Sequence, residues 1–119
     1  LWTCLQGPDF TPLEPALADM RRLAELGVPV AIHTGAAIYP NRKPRLLAQL
    51  DAAGLLNERL QIVHANGHEE DEYRLAAGKG VMLCSTPEVE MRMGHGHPAV
   101  FRAATAGMRV SIGTDIPSM

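Results

Sequence analysis

The stretch VPVAIH at residues 28–33 and its counterpart LQIVH at residues 60–64 decide the fold, because each is a short apolar run that ends in a histidine. Two further runs repeat the pattern: VMLC at 81–84 leads into Ser85, and RVSI at 109–112 leads into Asp115. Continuous apolar runs are typical of parallel strands that are covered on both faces. Ligands of parallel α/β folds bind outside the carboxyl ends of the strands. The sequence therefore predicts a site along one edge of a parallel sheet.

Composition narrows the function classes. The chain has 119 residues and balances 11 Lys and Arg against 13 Asp and Glu, for a formal net charge of −2. Without a basic cluster, a nucleic-acid or anionic-membrane partner is not expected. The sequence shows no apolar run of about 18 residues and no signal-peptide pattern, so we expect a cytoplasmic protein. Two cysteines do not make a disulfide framework, and Cys4 and Cys84 are predicted to be buried and reduced.

Helical spacing of apolar residues predicts a helix after each strand but the last. In the first helix, Thr11 and Glu14 are predicted to form a capping box. The acidic run at 69–72 suits the first turn of the third helix, where carboxylates stabilise the positive end of the helix dipole. The last helix is expected to turn Val100, Phe101 and Ala104 inward. The first predicted helix begins near residue 11. The other three cover about 44–53, 69–77 and 98–107.

The spacing of the strands favours a barrel over a doubly wound sheet. His33 and His64 lie 31 residues apart, as do Cys84 and Asp115, and a (β/α)8 barrel of about 250 residues averages roughly 31 residues per unit. The expected fold class is therefore α/β, a segment of a (β/α)8 TIM barrel running from the end of strand 4 to strand 8, with parallel strands and covering helices. Residues 1–119 are expected to form a single partial barrel domain, and the N-terminal half of the parent barrel is expected to precede them.

Three of the strand-end residues suggest a metal site. A single histidine is more often structural than a ligand, but His33, His64 and Asp115 would all project into one mouth if their strands are parallel. Imidazole nitrogens and a carboxylate oxygen suit Zn²⁺ or Fe²⁺. One divalent metal ion is expected there, and such an ion lowers the pKa of its bound water to about 7.

Five motifs, taken in order, resemble the amidohydrolase superfamily. AIHTG at 31–35, IVHAN at 62–66 and GTD at 113–115 are similar to the fifth, sixth and eighth strand ends of that superfamily. STP at 85–87 and MGHGHP at 93–98 are similar to the loop after strand seven in the branch of cytosine deaminase, adenosylhomocysteine deaminase and triazine chlorohydrolase. The resemblance covers nearly the whole chain.

The resemblance implies a reaction and roles for particular residues. It implies metal-dependent hydrolysis of a C–N or related bond of a small, for example heterocyclic, substrate by metal-activated water. His33 would be a metal ligand, and Asp115 would be both a ligand and the base that takes a proton from that water. His64 would polarise the substrate or steady the hydroxide. The substrate pocket would be lined by His64, Glu88, Asn66 and Thr86.

Two departures from the family pattern change the expectation. The His-x-His of the first strand is missing, and His95-Gly96-His97 is interpreted as part of a loop, so the metal site is expected to be incomplete and the chain alone inactive. Ala36 stands where the deaminases of this branch have a Glu, which makes ring deamination by the usual route less expected. The chain offers no lysine near the end of strand four for carbamylation, which favours one metal over two.

Two other readings stay open. The chain could be a non-catalytic half-barrel with an incomplete metal site, or an α/β binding module unrelated to hydrolases. A half-barrel would leave apolar strands at both edges of its sheet, and open edges pair with other chains. We therefore expect self-association, with a small molecule as the other partner.

Overall fold

Five parallel strands form one sheet whose spatial order follows the chain, β1-β2-β3-β4-β5. The computed structural model describes residues 2–116. The strands are β1 Thr3–Leu5, β2 Val30–Thr34, β3 Leu60–His64, β4 Met82–Ser85 and β5 Arg109–Ile112. Each adjacent pair is parallel. The predicted parallel α/β architecture is confirmed.

The helices follow the prediction with one addition. They are α1 Leu13–Glu25, α2 Leu46–Ala52, α3 Glu70–Gly78, α4 Pro87–Met93 and α5 Val100–Thr105. The unpredicted helix is α4, which begins directly after β4 with Pro87 at its first position, where a missing N–H costs nothing. In α3 the expected acidic first turn is present, and Glu69 and Glu72 form a capping box there.

Three local predictions are wrong. The residue before α1 is Pro12 rather than Thr11, because the Thr11 hydroxyl donates to the Gly7 carbonyl instead, at 3.4 Å. In α5 the buried residues are Val100 and Ala103, three apart on one helical face, so Phe101 and Ala104 point outward and Phe101 is 82% exposed. Both cysteines are free as expected, but Cys4 is exposed and Cys84 half-buried because their strand positions face away from the helices.

The hydrophobic core lies between the sheet and its helices. The core side chains of the central strands include Ile32, Ile62 and Leu83, all fully buried. The helices contribute Leu17, Met20, Leu46, Leu47, Leu50, Tyr73 and Ala76. Burying one such large apolar side chain stabilises a fold by about 1.5–3 kcal/mol. This layer holds the carboxyl ends of β2, β3 and β4 in fixed relative positions.

The last strand has a different environment. All four residues of β5 are exposed, including Val110 and Ile112. Among residues 2–116, β1 pairs only with β2 and β5 pairs only with β4. Over the same residues, no helix is both long enough and apolar enough to cross a membrane.

Candidate active site at the carboxyl ends of the strands

The structure brings the three predicted strand-end residues together. The rings of His33 and His64 have centroids 5.4 Å apart in an edge-to-face arrangement. Nε2 of His64 lies 4.0 Å from Oδ2 of Asp115, whose side chain is 31% exposed. The three side chains come from β2, from β3 and from the segment after β5, so one edge of the sheet carries the whole group.

A left-handed backbone turn explains how the two histidines meet. In the register of β2 and β3, His64 pairs with Thr34 rather than with His33. Laterally paired residues share a face and side chains alternate along a strand, so extended geometry would put the two histidines on opposite faces. His64 and the following Ala65 instead have φ values of 71° and 57°. Alternation does not apply to these left-handed residues, and the His64 ring turns toward His33.

The turn at His64 is held by hydrogen bonds from three directions. The Ala65 N–H donates to the Thr34 carbonyl at 2.8 Å, and the Tyr73 hydroxyl donates to the Ala65 carbonyl at 2.5 Å. One residue further on, the Gly67 N–H donates to the Gly35 carbonyl. Left-handed geometry costs a non-glycine residue roughly 1–2 kcal/mol, so it persists only where the surroundings enforce it. His64, a candidate functional residue, therefore carries this conformational strain.

Glu90, which the sequence analysis did not single out, is the closest charged neighbour of His64. Its Oε1 lies 3.3 Å from His64 Nδ1, and its side chain is fully buried. Burial by itself would raise the pKa of Glu90, but hydrogen bonds from His64, the Thr86 N–H, Asn66 and Ser85 outweigh it and hold that pKa below its ordinary value. Glu90 is therefore a buried carboxylate at neutral pH.

Besides His64, two of the predicted pocket residues, Asn66 and Thr86, belong to this network, and Glu88 does not. Thr86 Oγ1 lies 3.1 Å from His64 Nδ1, and Asn66 donates through Nδ2 to Glu90 at 3.1 Å and to the His97 carbonyl at 2.9 Å. Glu88 is exposed and pairs with Arg92 at 3.2 Å, outside the network. Helical geometry separates the two carboxylates: α4 turns Val89 and Glu90 inward and leaves Glu88 in solvent.

His95 and Tyr39 complete the cluster; His95 was interpreted only as part of a loop, and no sequence pattern pointed to Tyr39. The His95 ring lies 4.6 Å from that of His64 by centroids, and Tyr39 lies 5.6 Å from His95. Burial first, and then the charge of His64, lower the pKa of His95, while burial and nearby carboxylates raise that of Tyr39. His95 lies in a loop as predicted, yet it is only 4% exposed, whereas His97 in the same loop is exposed.

The donor chemistry of the cluster fits a metal ion, and the number of donors does not. Burial, and then the charge of His64, lower the pKa of the half-buried His33, although the charge of Asp115 opposes them. The lowered pKa favours the neutral ring, which is the form that binds metals. Yet within residues 2–116 no three His, Cys, Asp or Glu side chains are arranged to hold a metal ion. Catalytic zinc usually has three protein ligands. The described residues therefore fit as one part of a metal site.

Comparison with known proteins defines the fold class. No protein-family model matches the chain. An adenosine deaminase from Xanthomonas campestris with bound zinc superposes with a TM-score of 0.69 and 31% identity, over 82% of this chain and 25% of that one. An atrazine chlorohydrolase from Arthrobacter aurescens TC1, complexed with zinc, has a TM-score of 0.70 and 21% identity over 96% of this chain and 26% of that one. The five-stranded unit is a segment of a (β/α)8 barrel, as predicted.

Sequence comparison then identifies the family. The 5-methylthioadenosine/S-adenosylhomocysteine deaminase of Natronomonas pharaonis is 32% identical over 124 residues, which cover 98% of this chain and 29% of that protein. The chain belongs to the amidohydrolase superfamily. It spans less than a third of the length of this relative.

Proposed function

We propose that this chain supplies strand-end residues to the active site of a metal-dependent hydrolase that acts on a C–N or related bond of a small substrate. One observation carries the proposal: His33, His64 and Asp115 meet at the carboxyl edge of the sheet. It is supported by a similar protein named as a deaminase and by a similar structure with bound zinc.

We propose that His33 and Asp115 are the metal ligands of this chain, with zinc as the first candidate and iron as the alternative. A divalent ion bound there would supply a Lewis acid and water activated near neutral pH. Asp115 is exposed enough to take a proton from water, and His64 is close enough to Asp115 to contact a substrate beside it. Further ligands would come from the rest of a longer barrel, of which residues 1–119 are proposed to form a partial domain.

The substrate class follows from the relatives and is limited by one residue. Adenosine derivatives and triazines appear in the names of similar proteins, so a small heterocycle is the proposed substrate. Ala36 is completely buried and has no group that exchanges protons, so a carboxylate for the ring would have to come from elsewhere. Asn66 and Thr86 are proposed to border the substrate, and Glu88 stays a predicted contact from the solvent-exposed side of α4.

A zinc titration followed by histidine NMR tests the metal proposal on the 119-residue chain. His97 is the internal control, because it is exposed and lies in a loop outside the cluster. We expect the His33 ring signals to shift at lower zinc concentration than those of His97, and Asp115→Asn to abolish that preference. Equal response of the two histidines would contradict the ligand assignment.

The second candidate function is a non-catalytic half-barrel, which the absence of a three-ligand group among residues 2–116 favours. Ammonia release from adenosine and aminotriazine substrates, measured with zinc present in a longer protein that supplies the remaining ligands, separates the two candidates. Zinc bound at His33 without any release of ammonia would favour the non-catalytic reading. Release that is lost in Asp115→Asn would favour the hydrolase.

A further inference from the structure

The buried carboxylate of Glu90 lies against the ring of His64. Glu90 is fully buried, and groups that can only donate, or that donate here, surround it. The Thr86 N–H donates to Oε1 at 2.6 Å, the Ser85 hydroxyl to Oε2 at 3.0 Å, and the Asn66 amide to Oε2 at 3.1 Å. Such a set of donors matches an ionised carboxylate, which accepts hydrogen bonds only.

The carboxylate fixes which nitrogen of the His64 ring carries the proton. Nδ1 lies 3.3 Å from Glu90 Oε1 and 3.1 Å from the Thr86 hydroxyl oxygen. A bare Nδ1 would set its lone pair against a carboxylate oxygen, whereas an N–H there donates to it. The Thr86 hydroxyl can accept from the same N–H while it donates to Glu90, 3.4 Å away. The tautomer of a histidine is set by the hydrogen bond of its other nitrogen.

We propose that Glu90 is a positioning residue that holds His64 with its ring proton on Nδ1, so that a bare Nε2 is directed toward Asp115. Nε2 lies 4.0 Å from Asp115 Oδ2, which is longer than a hydrogen bond. The tautomer follows from contacts within the chain and is independent of the proposed function. Its use in catalysis rests on that function.

The tautomer changes what His64 offers to a substrate. With Nε2 bare, His64 accepts a hydrogen bond or a proton from water or from the substrate rather than donating first. Once Nε2 has taken a proton, the ring is an imidazolium, and the Glu90 carboxylate at Nδ1 stabilises its charge. The same proton can then pass from Nε2 to a leaving group. Glu90 is fully buried and is proposed to act through His64 rather than on a substrate directly.

The test is ¹⁵N NMR of the 119-residue chain with labelled histidine and no metal added. In the wild-type chain we expect the proton of His64 on Nδ1 and a nonprotonated Nε2. Glu90→Gln should shift His64 toward a mixture of tautomers, and Glu90→Asp should largely restore the wild-type state because it keeps the charge. Glu88→Gln is the matched control, since it removes an exposed carboxylate from the same helix, and it should change nothing at His64.

Two results would overturn the proposal. One is a wild-type His64 that carries its proton on Nε2, which needs no variant to observe. The other is a Glu90→Gln chain that stays folded, as judged by its backbone amide spectrum, and keeps the wild-type tautomer.

Activity adds a separate readout that depends on the proposed function. If the protein hydrolyses an adenosine or triazine substrate, Glu90→Gln should lower kcat roughly 10–100-fold with little change in KM. An unchanged kcat would contradict the catalytic use of the tautomer. A wild-type protein that hydrolyses none of these substrates would count against the proposed function and leave the NMR result standing.

Discussion

The strands β3 and β5 carry two halves of one site in opposite environments. β3 has a paired strand on each side, and Ile62 at its centre is fully buried. β5 is paired on one side among the described residues, and all four of its side chains are exposed. At the ends of these strands, His64 is 1% exposed, whereas the Asp115 side chain is 31% exposed.

The difference shows that the candidate site is preorganised on its His64 side and less so at Asp115. The orientation of His64 is set by Glu90, Thr86 and a left-handed turn that is tied to neighbouring segments. Asp115 is also left-handed, with φ of 58°, but its side chain contacts the cluster across 4.0 Å. Catalytic groups need support from packed neighbours to hold their geometry. The Asp115 side is where a metal ion or an added strand would supply that support.

The largest expected effect comes from matched truncations in the two strands. Ile62→Ala should lower the free energy of unfolding by about 2–5 kcal/mol, because it leaves a cavity in the core. Ile112→Ala should change it by less than about 0.5 kcal/mol, because Ile112 is 71% exposed. Urea unfolding followed by circular dichroism measures both. Equal losses would show that β5 is packed as firmly as β3.

A smaller loss in the free energy of unfolding is expected when Glu72, a buried carboxylate on the helix that follows β3, is neutralised. Glu72 accepts from the Leu47 N–H at 3.0 Å and from the Glu69 N–H at 3.3 Å, and His68 Nδ1 lies 3.6 Å away. Burial by itself would raise the pKa of Glu72, but His68 and these backbone donors lower it below its ordinary value of 4.5. A lowered folded-state pKa gives stability that is present above 4.5 and is lost as the pH falls through the folded value.

Glu72→Gln should therefore lower the free energy of unfolding by about 1–2 kcal/mol at pH 7. It should also make that free energy depend less on pH below 4.5 than in the wild-type chain. Glu70→Gln is the control, because Glu70 is half-exposed and pairs with Arg102 at the surface. Urea unfolding over a series of pH values checks the prediction, and parallel acid branches for all three chains would refute it.

The smallest effect on stability is expected from a charge at the β5 edge. We predict that the 119-residue chain self-associates through its sheet edges, and that Ile112→Lys weakens this association because a lysine discourages edge pairing. Stability should change by less than about 0.5 kcal/mol. Light scattering gives the mass, and Leu26→Lys, which places a charge at the end of α1, is the control for any exposed apolar residue. A monodisperse wild-type monomer would contradict the prediction.

The sequence was sufficient to predict the parallel sheet and the meeting of its strand ends. Apolar runs that end in His33 and His64 gave the strands, since burial on both faces leaves no polar alternation. That the two rings meet was predicted from strand ends alone. The register would have argued against it, because His64 pairs with Thr34 and only the left-handed turn reverses its direction.

The residues that support His64 could not be predicted in the same way. Glu88 and Glu90 are two positions apart, and which of them faces inward depends on where α4 begins. No helix was predicted there, and Glu88 was the predicted pocket residue. His95 lies between two glycines, so its burial against Tyr39 depends on loop geometry that no periodic pattern records. Local patterns determine strands and helices, whereas contacts between loops depend on the assembled fold.

The identity between strand order and chain order has a consequence for biosynthesis. Each strand of this sheet after β1 adds beside the strand made just before it, so within residues 2–116 every later strand finds a partner already synthesised. Each such pairing joins distant residues, as Val30 pairs with Leu60, so it is slower than the closing of a helix or a hairpin. A growing chain could build this unit one strand and helix at a time, in the order in which the ribosome delivers them. His33 would be in place before His64, and Asp115 would arrive last to close the group.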